Sequence, residues 1–96
     1  MDVNNFRRST DQQYPPDGMS FALRTLWWDA KGDWHRAHAC AQQDRTQTGS
    51  SVHAYLHRKE GDLRNAAGWY GRAGREQPSG SLEDEWAMLA RQLLAT

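Results

Sequence analysis

Residues 53–78 read His-Ala-Tyr-Leu-His-Arg-Lys-Glu-Gly-Asp-Leu-Arg-Asn-Ala-Ala-Gly-Trp-Tyr-Gly-Arg-Ala-Gly-Arg-Glu-Gln-Pro, and this stretch decides the fold class. Asp62 suits a helix N-cap, because its carboxylate accepts from the free N–H groups of a first turn and sits at the positive end of the helix. At about 100° per residue from Leu63, the side chains of Leu63, Ala66, Ala67, Trp69, Tyr70 and Ala73 fall on one side. Arg64, Gly68, Gly71, Arg72 and Arg75 fall opposite. Gly74 is placed to end the helix in the left-handed conformation, and Pro78 blocks its resumption. Before the turn, Val52 to Glu60 contains no glycine or proline and sets Val52, His53, Leu56, His57 and Glu60 roughly on one side. The pattern predicts two helices joined at Gly61-Asp62, an αα-hairpin whose alanines allow a close crossing.

Within this hairpin, Ala54, Gly61, Ala66, Tyr70, Ala73 and Pro78 stand at the small, turn, small, aromatic, small and proline positions of a repeat unit. In this the segment resembles a tetratricopeptide repeat of roughly 34 residues, and Trp69-Tyr70-x-Arg72-Ala73 resembles the second helix of a Sel1-type repeat. His53 and His57 depart from the pattern, standing where such a helix usually carries leucine and tyrosine. The string from His53 to Asp62, with Asn65-Ala66 and Trp69-Tyr70-x-Arg72-Ala73-Gly74, also resembles short bacterial and fungal proteins, a likeness that implies no particular activity. The repeat resemblance implies antiparallel hairpins in a right-handed stack and a role in protein interaction.

Upstream, the same grammar recurs in weaker form. Ser20 to Lys31 predicts a helix with Leu23, Leu26, Trp27 and Ala30 on one side, and with Phe21 and Trp28 together on another. Gly32-Asp33 repeats the turn chemistry of Gly61-Asp62, and Trp34 to Ala41 follows as a helix with Trp34, Ala37, His38 and Ala41 on one face. Residues 42–51 are polar and rich in Thr, Ser and Gln, so they read as a loop between hairpins. After Pro78, Ser81 and Asp84 form a capping-box-like start to a last helix, Leu82 to Ala95, with Leu82, Trp86, Leu89 and Leu93 in a stripe. That helix is expected to close the exposed end of the second hairpin. The result is an all-α domain of about five helices over residues 19–96, preceded by residues 1–18. These are polar, end in Tyr-Pro-Pro-Asp-Gly and show no periodicity, so they read as a tail or strap with Phe6 and Tyr14 as anchors.

Composition narrows the function classes. Twelve basic and twelve acidic residues give zero formal charge, so no broad field favours nucleic acid or an anionic membrane. No apolar run approaches the length of a membrane span, and the single cysteine, Cys40, excludes an intramolecular disulfide, which predicts a cytoplasmic protein. The basic residues are ten arginines and two lysines, a bias toward fixed hydrogen-bonded pairs. The stripe Arg64, Arg72 and Arg75 is expected to pair with Glu60 or Glu76.

Two functional readings lead, ahead of a third, a structural accessory protein with no pocket. The first is a helical interaction module that takes a protein partner, or a second copy of itself, through Phe21 and Trp28. The second is a small-ligand or metal-binding protein, or an enzyme, built on His38, His53, His57 and Trp69, with Tyr70 and Arg72 beside them. Histidines at i and i+4 share a helix face, the spacing metal ligands need, and Glu60 continues that face by one turn. The alternative for the histidines is plain core packing in place of the leucine and tyrosine of the repeat. The sequence leaves the cofactor and the metal open. The two readings separate on whether the histidines converge, and on whether solvent reaches them.

Overall fold

Helix α4, Gln47–Glu60, is the element against which the rest is packed. Its residues Gly49 through His57 are all buried, which only a helix with neighbours on every side can be. The structure, a computed structural model, describes residues 1–95. Around α4 lie α2 (Phe21–Lys31), α3 (Trp34–Gln43), α5 (Leu63–Ala73) and α6 (Leu82–Leu94), while α1 (Val3–Arg8) and a short 3₁₀ turn at Ser9–Asp11 pack outside them, α1 on α2 and α6. Among the described residues there are six α-helices and no strand, so the fold is all-α with one helix more than expected.

Local chemistry sets the boundaries. Ser20, Asp33, Thr46, Asp62 and Ser81 each cap a helix by accepting from the backbone N–H three residues on. Gly32 and Gly61 end α2 and α4 in the left-handed region, with φ of 92° and 89°. They turn the chain into α3 and α5, so α2/α3 and α4/α5 are the two hairpins read from the sequence. The hairpins meet where α4 packs on both α3 and α2.

Three expectations change. Residues 42–51 are not a continuous loop, because α4 starts at Gln47 behind the Thr46 cap. A Cβ on Gly49 would lie 2.4 Å from the Asp44 carbonyl oxygen, so the turn before α4 presses on its first turn and only glycine fits. Residues 1–18 contain a helix: Asp2 caps α1, and Phe6 is fully buried against Trp86 at 5.8 Å between ring centres, while Tyr14 stays exposed. The last helix covers more than the second hairpin. It lies across α2, α4 and α1, where Trp86, Leu89 and Ala90 join the core, and it reaches α5 only through side chains.

The main core joins Phe6, Leu26, Trp27, Val52, Leu56, Trp86 and Leu89 with small residues between them. Tryptophan N–H groups stitch the layers: Trp27 donates to Ser9 Oγ, Trp34 to the Leu56 carbonyl and Trp86 to the Leu26 carbonyl, each at 3.0 Å. Two buried carboxylates hold α4 in register. Asp29 accepts from the Tyr55 hydroxyl (2.6 Å) and Lys59 (2.8 Å), and Glu85 accepts from the Tyr70 hydroxyl (2.6 Å) and Arg58 (2.9 Å). Burial, followed by the neighbouring carboxylates, pushes both tyrosines well above the ordinary phenol range, so each stays a donor.

Two glycines on one hairpin should respond in opposite directions to the same change. Gly61→Ala puts a methyl group on a left-handed residue and should cost about 1–2 kcal/mol. Gly68 lies inside α5 with open space where a Cβ would go, so Gly68→Ala should gain about 0.5–1 kcal/mol from helix propensity alone. Urea midpoints of the two variants check this, and equal signs would refute it.

Candidate functional site

Packing α3 and α5 on opposite flanks of α4 brings three histidines together. His38 comes from α3, and His53 and His57 come from successive turns of α4. One ring nitrogen from each lies within 4.8 Å of the others, and Nε2 of His38 is 3.0 Å from Nε2 of His53. His53 and His57 are buried at 4% and 5% exposure, whereas His38 keeps a partly open edge, so solvent meets the cluster on the α3 side.

Two tryptophans wall the cluster. Trp34, one turn before His38, stacks flat on its ring with centres 4.8 Å apart and 10° between planes. Its indole N–H is held by the Leu56 carbonyl, which fixes that wall to α4. On the other flank Trp69 stacks on His53 at 3.8 Å and 12°, and the Arg72 guanidinium covers the outer face of Trp69 at 4.6 Å. His53 in turn stacks on His57 at 4.9 Å. The order Arg72, Trp69, His53, His57 is therefore one continuous column.

Charge and tautomer follow from these contacts. Nδ1–H of His57 donates to Glu60 Oε2 at 2.5 Å, which turns the Nε2 edge of that ring away from the carboxylate. Burial pushes His53 down to about 4, with His38, His57 and Arg72 adding in the same direction. Burial also lowers His38, helped by His57 and His35 and opposed by Glu60. The Nε2–Nε2 contact requires that His38 or His53 carry the N–H between them, a proton that a bound cation would displace to the ring's other nitrogen.

Of the expected site residues, His38, His53, His57, Trp69 and Arg72 are brought together. Tyr70 is not, because its hydroxyl is spent on Glu85 on the far side of α5. The apolar face of α5 is also narrower than its periodicity suggests: Leu63 is 54% exposed, and Ala66, Tyr70 and Ala73 carry the packing. Among the described residues no ion pair joins Arg64, Arg72 or Arg75 to Glu60 or Glu76; Arg72 lies on Trp69 and Arg75 donates to Met88 Sδ. The wall formed by Trp34 was missed. Its i, i+4 spacing to His38 is the signal that the sequence offers for it.

The low position of His53 fixes a pH dependence. In the unfolded chain it titrates near 6.5, and in the fold at about 4, so between these values the unfolded state holds the extra proton. Stability should be fully present above about pH 6.5, fall as pH drops toward 4 and level off below, a loss on the order of 3 kcal/mol from this residue. Urea midpoints from neutral pH to about 4.5 test it, and a flat profile would show that His53 is not held neutral.

No protein-family model matches the chain, and neither a curated protein nor a solved structure does, so the chemistry of the centre itself is what speaks to its use.

Proposed function

We propose that this chain is a small metal-binding domain in which His38, His53 and His57 hold one divalent transition-metal ion. The observation that supports it is the convergence of three ring nitrogens, from two helices, within 4.8 Å. Two imidazole nitrogens on one zinc-like ion sit about 3.0–3.4 Å apart, given metal–nitrogen bonds near 2.0–2.1 Å. The 3.0 Å separation of His38 and His53 already suits this, and a ring nitrogen of His57 lies within 4.8 Å of both. Glu60 behind His57 serves as the outer carboxylate that orients a ligating imidazole and raises its basicity. Three neutral nitrogens favour zinc, copper, nickel or iron over magnesium or calcium, and they leave a coordination position for water or an exogenous ligand.

Interaction through Phe21 and Trp28 has less support. Trp28 is 9% exposed, packs edge-on against Trp27 and lies under the Arg36 guanidinium at 4.7 Å, so the expected apolar surface reduces to the edge of Phe21. Among the described residues no helix is long and apolar enough to cross a membrane.

A metal bound only by the folded state stabilises it by mass action. At about a hundredfold excess over Kd the gain is about 2.7 kcal/mol, which raises Tm by on the order of 10 °C in a domain this size. Zinc, nickel or cobalt should produce such a rise, and the cobalt form should show ligand-field bands of a low-coordinate nitrogen site. His38→Ala, at the half-open position, should keep the fold and abolish both effects. Metal insensitivity of the wild type, or a shift that survives His38→Ala and His53→Ala alike, would leave the histidines as a packed core cluster. The folded-state position of His53 adds a second expectation: metal affinity should hold to lower pH than for free imidazole, whose pKa is about 6.5.

A further inference from the structure

A second region beside Trp69 has no histidine in its lining. The end of α3, the turn into α4 and the outer face of α5 enclose a groove of about 530 Å³. Arg45, Ser50, Trp69 and Arg72 line it, together with Asp44 and Gln47. Arg45 comes from the turn and Arg72 from α5, and among the described residues neither is in an ion pair. The positive end of α4 opens here: Thr46 satisfies the Gly49 N–H, leaving those of Gln47 and Thr48 in the first turn.

The feature that distinguishes this groove from a bare helix end is Ser50. It is more than nine-tenths buried, yet among the described residues its hydroxyl has no hydrogen-bond partner. No sealed side-chain oxygen or nitrogen is unpaired among the described residues, so this hydroxyl keeps an open side, and the groove that Ser50 lines is the space it meets. The one carboxylate present, Asp44, is engaged by the N–H and hydroxyl of Thr46 at 2.9 and 2.5 Å. Gln47 is likewise committed, donating to the Ala73 carbonyl.

We propose that this groove binds a small oxyanion, a phosphate or carboxylate group, between the Arg45 and Arg72 guanidiniums with the Ser50 hydroxyl as a donor at its floor. Two planar guanidiniums from different elements suit a group with several acceptor oxygens. A hydroxyl without a partner supplies the neutral contact that a solvated charge patch would lack. The site is independent of the metal reading, since none of its ligand-facing groups is a histidine.

The test is an amide NMR titration of the full chain with inorganic phosphate and, separately, with malonate, at constant ionic strength. Saturable shifts are expected at residues 45–50 and at the Trp69 indole N–H. Arg45→Gln with Arg72→Gln should weaken binding by at least about tenfold, Ser50→Ala should weaken it by a smaller factor, and Arg8→Gln on α1 should leave it unchanged. Saturation by phosphate alone, by malonate alone or by both supports the site and identifies which oxyanion it prefers. Shifts that do not saturate, that scatter over unrelated arginines, or that persist with equal affinity in the double variant would overturn it. Both arginines are exposed, and circular dichroism confirms that the variants remain helical.

Discussion

A helix buried on every side has no solvent to satisfy its polar side chains, and this constraint governs α4 and therefore the molecule. His53, Tyr55, His57, Ser50 and Ser51 all lie in its buried run. A buried polar group left without a partner costs about 1–3 kcal/mol, so all of them but Ser50, whose hydroxyl keeps an open side at the groove, find one inside. Tyr55 finds Asp29, His57 finds Glu60, His53 finds His38, and Ser51 returns to the carbonyl of Gln47. Arg58, at the edge of that run, brings Glu85 into the core with it. The surrounding helices are set by these needs as much as by apolar area. α2 supplies Asp29, α3 supplies His38 and α6 supplies Glu85.

Turn chemistry was the most legible part of the fold. Gly-Asp pairs at 32–33 and 61–62 determine both hairpins because a left-handed glycine followed by a capping aspartate has few other uses. The start of α4 was hidden because Thr48, Gly49, Ser50 and Ser51 have poor helix propensity. Tertiary contact with the Asp44 turn overrides it there. α1 was hidden for a related reason: six residues with one buried side chain are too short to show a period, and Phe6 is held by Trp86, eighty positions away. The place of α6 was equally non-local. Its stripe was clear, but a stripe does not name the partner it will cover.

The candidate site shows the same division. Spacing placed His53, His57 and Glu60 on one face, and that is local geometry a sequence can carry. That His38 would meet them depended on how two hairpins pack, which no spacing encodes. Trp69 illustrates the limit well: periodicity put it on an apolar face, and the fold uses its two faces for different neighbours, an imidazole inside and a guanidinium outside. Through Arg72 and Trp69 the buried cluster and the outer groove share a wall, so charge gathered in one is felt in the other.

That shared wall has a spectroscopic consequence. An excited indole passes an electron readily to a neighbouring protonated imidazole and far less readily to a neutral one. Trp34 and Trp69 lie flat against His38 and His53, while Trp27, Trp28 and Trp86 sit elsewhere in the core. Emission from two of the five tryptophans is therefore tied to the charge state of the cluster between them. The protein carries its own optical reporter, without a dye or a label.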